Sequence, residues 1–448
     1  MYEPAAPPQR PTPPSFGEAF AYWLKLGFIS FGGPAGQIAI MHQELVEKRR
    51  WISENRFLHA LNYCMLLPGP EAQQLAIYIG WLLHRTPGGL VAGTLFVLPS
   101  LFILCALSYV YLAFGDVPVV QGLFNGVKPA VVAIVLFAAW RIGSRALKNA
   151  LLWALAAASF VAVFAFQVPF PWIVVAAGAL GLIGGKLVPD KFRAGGGHTA
   201  ANQQYGPALI DDDTPPLAHT RFRLPYLVRL LLIALLIWVA AIALLVHPVL
   251  RDMGEFFTKA ALLTFGGAYA VLPYVYQGAV DGYGWLSGPQ MIDGLALGET
   301  TPGPLIMVVA FVGFVGGWSK ELFGSDALFL AGFAGAATAT FFTFLPSYVF
   351  ILAGAPLVES THGDLTFTAP LTAITAAVVG VIVNLACFFG HHVLWPEAGA
   401  TAPFAGTFEW FYALMSLAAF VALWRYQQDI IKVIAACALT GLVHTLIV

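Results

Sequence analysis

Charge is what this chain has least of. Lys, Arg, Asp and Glu make up 10% of its 448 residues, while 59% are hydrophobic. A soluble domain carries about a quarter of its residues as charges, so a water-facing globule is excluded. The net charge of −1 leaves no broad basic field, so no nucleic-acid partner is expected. Cysteine is also scarce. Cys64, Cys105, Cys387 and Cys437 lie apart in apolar stretches with no CxxC spacing, which supports neither a metal site nor a disulfide framework and leaves them as packing residues. No P-loop, nucleophile elbow, HExxH or paired-Asp signature is found, nor a haem or flavin signature. The chain is therefore read as no enzyme, with no cofactor. The adjacent His391 and His392 lack a second ligand cluster and read as an interfacial pair. Residues 1–15 are Pro-rich and lack the basic-then-apolar order of a cleavable signal. They are expected to be a disordered tail, with the first apolar segment as targeting signal.

Long apolar runs are present instead, among them Gly88–Phe114, Pro129–Trp140, Ala150–Phe166 and Leu227–Val246. An α-helix needs about 20 residues to cross ~30 Å of hydrocarbon. The fold class is thus all-α, a polytopic helical protein of the lipid bilayer. A transmembrane β-barrel would show alternating segments of ~10 residues, and none occur. Trp51, Trp81, Trp285 and Trp318 fit aromatic belts at segment ends.

The longest polar stretch, 188–225, is rich in Gly, Pro and Asp and reads as a flexible linker. Lys186, Lys191, Arg193, Arg221, Arg223 and Arg229 flank it, which puts it in the cytoplasm. Its two sides are related. One constant offset of 234 residues carries FGG at 31–33 to 265–267, Lys25 to Lys259, Gln43 to Gln277, Trp51-x-Ser53 to Trp285-x-Ser287, and PGP at 68–70 to 302–304. LPS at 98–100 recurs at 345–347, so extra residues enter the second half near "WSKELFGSDALF". An internal duplication follows. Its parts are an N-terminal repeat at 16–187, a joining membrane helix at 226–247 and a C-terminal repeat at 252–447. Six apolar segments per repeat plus the joining helix give thirteen. An even number of crossings per repeat and one joining helix would turn the second repeat upside down, an inverted-topology arrangement. Re-entrant hairpins turning at FGG and PGP are favoured over full crossings. They keep Lys48, Arg49, Arg50, Arg56 and Arg85 on the inner side.

The breaks carry the chemistry. Phe31, Gly32, Gly33 and Pro34 interrupt one apolar segment, and Pro68, Gly69 and Pro70 another. Phe265, Gly266 and Gly267, then Pro302, Gly303 and Pro304, repeat both. Unpaired backbone groups in hydrocarbon cost several kcal/mol each, so such breaks belong around protein or a wet cavity. A half-helix starting after a break presents free N–H groups and about half a positive charge, the makings of an anion site. Packing and simple kinking is the bland alternative. Lys25 and Lys259 sit six residues before their FGG, roughly 9 Å along a helix, where they either face the anion or snorkel to headgroups. Glu71 and Glu299 flank the two PGP breaks and are candidate proton carriers, a helix-N-terminal role being the alternative for Glu71. Gln73, Gln74, Thr300 and Thr301 add donors beside the breaks.

"LKLGFISFGGPAGQIAIMHQELVEKRRWISENRF", then "LLPGPEAQQLAIYIGWLLHRTPGGLVAGTLFVLPS", then "TFGGAYAVLPYVYQGAVDGYGWLSGPQMIDGLALGETTPGPL" resemble the chromate ion transporter family in its long, two-domain form. The resemblance covers roughly 16–447. It implies a multi-pass secondary transporter of the prokaryotic cell inner membrane that exports chromate and confers chromate resistance. It further implies drive by protons, without ATP or a metal. Ala268 stands where the first repeat has Pro34, so the two half-sites are expected to be unequal. Sulfate, another tetrahedral dianion, would suit the same residues. A passive anion channel and a membrane-bound chromate reductase are the rival classes, and the sequence neither demands nor forbids a homodimer.

Overall fold

The computed structural model describes residues 10–192, 205–215, 217, 219–360, 368–398 and 402–447. The expected tail at 1–9, and 193–204 of the expected linker, lie outside the described residues. Among the described residues the chain is helical, with an isolated β-bridge between Ile52 and Ile210. Seven helices among the described residues are long and apolar enough to cross a membrane, in keeping with a polytopic all-α protein.

The first half runs α1 (Phe16–Ile29), α2 (Gly33–His42), a π turn (Gln43–Lys48) and α3 (Glu54–Cys64). It continues with α4 (Glu71–Phe114), α5 (Pro118–Ala146), α6 (Ala150–Phe166), α7 (Phe170–Leu187) and the single turn α8 (Pro189–Phe192). α9 (Leu224–Leu244) then lies at the periphery, with no buried residue, against α10 and α14, and Trp238 donates to Thr258 Oγ1 on α10 at 3.0 Å. The second half repeats the order with α10 (Pro248–Leu262), α11 (Ala268–Tyr276), a π turn (Gln277–Gly282) and α12 (Gly288–Thr300). After it come α13 (Val308–Ser319), α14 (Leu328–Ser360), α15 (Thr368–Leu394), α16 (Trp410–Trp424) and α17 (Ile430–Ile447). Even the π turns fall at equivalent places.

The short elements form hairpins for a reason of length. The 14 residues of α1 span about 21 Å, short of the ~30 Å hydrocarbon core. The chain turns back after FGG. Trp51 returns to within 5.8 Å of the Tyr22 ring, and the Arg49 guanidinium lies 5.4 Å from the same ring. The second half does the same, with Phe256 and Trp285, the equivalents of Tyr22 and Trp51, at 5.5 Å. α3 and the start of α4 also run back along each other. Arg56 and Tyr78, widely separated along the chain, grip one carboxylate, that of Glu359 on α14.

α4 is itself two arms, 71–83 and 86–114. They fold back at His84 (φ −135°) and Arg85, whose φ of 56° lies outside any helix. A Cβ on Gly80 would come within 2.5 Å of the Gly88 carbonyl, so only glycine lets the arms pack this closely. α13 and α14 meet the same way at Gly313 and Gly335.

Part of the stretch expected to be a flexible linker is docked. Ser53 donates to the Ile210 carbonyl at 2.9 Å, and Leu209 and Ile210 donate to Arg50 and Trp51. Ile210 is buried among α1–α4 side chains, and Asp212 accepts from Asn55. His219 contacts the Trp81 carbonyl, and burial there lowers its pKa. Asp213 pairs with Arg10, so residues 10–15 are also ordered against this face. The ends of the first two hairpins and the docked linker thus share one side of the molecule.

Candidate functional site at the crossing of the helix breaks

Each broken helix ends against a break of the other half. Gly69 N–H donates to the Thr264 carbonyl at 2.8 Å, and Gly303 N–H donates to the Ser30 carbonyl at 2.8 Å. Gly303 is the equivalent of Gly69, and Thr264 of Ser30, so these two bonds are one bond made twice. The PGP turn of each half therefore sits on the residue that precedes FGG in the other. The geometry demands glycine: φ is 125° at Gly69 and 106° at Gly303. Gly32, Gly33, Gly266 and Gly267 also have positive φ, which turns the chain between α1 and α2 and between α10 and α11.

Each pair of breaks is closed by a serine of LPS. The side of Gly69 faces Ser347 Oγ, and that of Gly303 faces Ser100. Around the Gly303–Ser30 pair, the Gln37 amide donates to the Gly303 carbonyl at 2.6 Å and to the Ser30 carbonyl at 3.2 Å. Around the Gly69–Thr264 pair, Gln74 donates to the Pro68 carbonyl at 2.8 Å and to Ser347 Oγ at 3.4 Å. Glu299 joins the two pairs. It precedes the second PGP, yet it accepts a hydrogen bond from Tyr269, two residues past Gly267.

The helices that start at these breaks have bare N termini. α2, α4, α11 and the Leu305–Met307 turn that leads into α13 have no side-chain cap. Ser15, Asn149 and the equivalent residues Ser53 and Ser287 cap helices elsewhere, while α5, α7, α9 and α16 are also without a side-chain cap. A bare N terminus leaves backbone N–H groups free for another acceptor. Buried polar side chains beside the breaks also lack partners. The Gln73 amide has only the Tyr348 hydroxyl beside it, and Ser100 Oγ, Gln37 Oε1 and Gln74 Oε1 are unpaired. Buried polar groups are nearly always paired, so this cluster marks a place where a ligand or water completes the bonding.

The expected residues divide. The FGG and PGP residues, Glu71, Gln73 and Glu299 lie at the crossing. Thr301 is buried there, but its hydroxyl proton goes to the Gly298 carbonyl. Lys25 and Lys259 occupy equivalent exposed positions on α1 and α10. Lys259 lies 3.8 Å from Glu255 on its own helix. Ser30, Thr264, Gln37, Ser100, Ser347 and Tyr269 were not singled out by sequence. Ser100 and Ser347 had a signal, the LPS recurrence, and Ser30 and Thr264 share the offset of 234. Gln37 and Tyr269 had none, since Val271 and Ala35 stand at the equivalent places.

Comparison with known proteins agrees over most of the chain. A family profile described as "Chromate transporter" matches residues 17–182 and 251–442, the two halves separately. A "Chromate transport protein" of Pseudomonas aeruginosa is 32% identical over 442 residues, covering 96% of this chain and 93% of that protein. One of Cupriavidus metallidurans is 31% identical over 365 residues, covering 81% of this chain and 80% of its own. A "Probable chromate transport protein" of Synechococcus elongatus is 28% identical over 374 residues, covering 83% and 84%. No solved structure matches the chain significantly.

Proposed function

The chain belongs to the chromate transporter family, and from that premise we propose that it is a secondary active transporter. It exports chromate across the inner membrane, confers chromate resistance and is driven by the proton gradient. The observation that carries the reading is the reciprocal bonding of Gly69 to Thr264 and of Gly303 to Ser30, which gathers bare helix N termini around unpaired donors. The magnitudes suit the cargo. Each N terminus offers roughly half a positive charge, so four nearly balance a dianion without any buried cation. Gln73 and Ser100 supply uncharged donors to its oxygens.

Two repeats of inverted topology account for the arrangement. α9 is 21 residues long, about 31 Å, enough to carry the chain once across the bilayer between them. Rocking one repeat against the other about the crossed breaks then opens the site to each side in turn. Glu71 and Glu299 carry the protons. Lys25 and Lys259 contribute field on the approach rather than direct ligation, in keeping with their exposure. A sulfate transporter, or a passive channel for either oxyanion, is the second reading, because the same dipoles accept any tetrahedral dianion.

Chromate uptake into inside-out membrane vesicles tests the substrate. We expect saturable uptake that excess sulfate reduces only weakly, and a several-fold lower kcat/KM in Lys25→Ala and Lys259→Ala at unchanged expression. Uptake no greater than in vesicles without the protein would defeat the reading. Suppression by sulfate at the lower concentration would convert it to a sulfate transporter. Wild-type kinetics in both lysine variants would remove the lysines from it.

A further inference from the structure

The two halves are tied at equivalent points away from the breaks, but with opposite chemistry. At the face where the linker docks, Arg56 of α3 meets the end of α14. Its guanidinium donates to Glu359 at 2.7 Å, and Tyr78 donates to the other carboxylate oxygen at 2.5 Å. Both oxygens are satisfied and the charge is matched. The equivalent place in the second repeat joins α12 to the end of α4. There the carboxylate is on the hairpin. Asp293 is only 3% exposed, and Tyr111 donates to its Oδ2 at 2.9 Å. Its Oδ1 has no partner at all.

Tyr111 lies near the far end of an arm that starts at the linker side. Residues 86–111 of a helix cover about 37 Å, so this contact closes the opposite side of the molecule. The groups that bear on Asp293 can be named. Lys128 of α5 acts on it through space, but the ammonium is held by Asn125 Oδ1 at 3.2 Å and donates to neither carboxylate oxygen. From α13 the Phe311 ring packs on Gly294 and Tyr111. His392 of α15 approaches α12 at Gly288, more than one turn before Asp293.

We propose that Asp293 is a proton-binding site that latches α12 to α4 on the side away from the linker, closed with the proton on and released when it leaves. A charged carboxylate buried with one bare oxygen is costly, whereas the neutral acid keeps the Tyr111 bond without that cost. Once ionised, Asp293 gains by reaching water, which requires α12 to part from α4. α12 runs directly into the second PGP, whose Gly303 holds the Ser30 carbonyl. Release at Asp293 therefore reaches the anion site. Arg56 and Glu359 form the fixed counterpart, since a paired carboxylate gains nothing from a proton.

The proposal rests on the transporter reading for its purpose, but its test needs no transport. A cysteine is placed at Leu297, one turn beyond Asp293, in a full-length chain lacking the four native cysteines, and its alkylation is timed at mildly acid and mildly alkaline pH. With each rate divided by that of the same cysteine in the denatured chain at the same pH, which removes the thiol's own titration, we expect several-fold faster corrected alkylation at alkaline pH, and a slow corrected rate that does not change with pH when Asp293→Asn is added. The same pH response with and without Asp293→Asn would overturn the proposal, as would no pH response in either. Should Asp293→Asn fail to reach the membrane, Asp293→Ser is equally uncharged and carries the same expectation. Chromate uptake by the vesicles can fail without altering these rates, so the two ideas stand or fall separately.

Discussion

Gly303→Ala is expected to lower chromate flux by roughly 30- to 1,000-fold, and Gly69→Ala by a similar factor, with the protein still inserted in the membrane. The φ of 106° at Gly303 and 125° at Gly69 is strained for any L side chain, at about 1–3 kcal/mol. An added Cβ also collides. At Gly303 it would lie 2.8 Å from Ser100 Cβ, and at Gly69 2.6 Å from Gln74 Nε2 and 2.9 Å from Ser347 Oγ. Strain and collision together come to about 2–4 kcal/mol, and each 1.36 kcal/mol is tenfold in rate. The turn cannot shift away without losing its bond to Ser30 or Thr264, so the cost falls on the site. Gly267→Ala is the control. Its φ of 95° is also unfavourable, but nothing lies within 4 Å of the new Cβ. Its loss should be clearly smaller. Initial uptake rates normalised to protein in the membrane decide this, and equal losses at all three positions would leave backbone strain alone as the cause.

Arg56→Ala is expected to destabilise the folded protein by about 3–5 kcal/mol, because it strands a buried carboxylate. The Glu359 side chain is 5% exposed and that of Arg56 18%. Glu359→Gln removes the charge and keeps a polar group for Tyr78, so its cost should be smaller. The pair Lys48 and Glu44 gives the contrast. With Lys48 59% exposed, its loss should change stability by less than about 1 kcal/mol. Unfolding midpoints of the purified variants in one detergent test the order. Arg56→Ala unfolding together with the Lys48→Ala protein would contradict the role of this pair in holding the two halves together.

The sequence disclosed the turns better than the partners. FGG and PGP stood out because only glycine accepts those φ values, and a repeated backbone need leaves a repeated residue. The hairpins were legible from where the arginines fall, since Arg56 and Arg85 needed one side. The reciprocal bonds were not legible. They are made by backbone atoms of Ser30 and Thr264, whose side chains serve their own helices, bonding Leu26 and Ala260. Asp293 was not singled out by sequence, since its burial follows from α4 and α13 packing over α12. The lysines were legible as a pair through the shared offset, and the structure puts both at exposed positions on α1 and α10. The docked part of 188–225 escaped notice because its buried residues, Ala208, Ile210 and Thr220, are few and lie scattered within a polar stretch.

Coupled export requires movement of chromate against its gradient. The direct measurement uses purified protein in sealed proteoliposomes holding equal chromate on both sides, with a pH difference then imposed. The account predicts net chromate accumulation on one side. It predicts collapse when a protonophore is added, and no accumulation in a Glu71→Gln, Glu299→Gln double variant that still exchanges chromate. Chromate that remains equal on both sides in the wild-type protein, while tracer crosses freely, would contradict coupled transport and leave a channel.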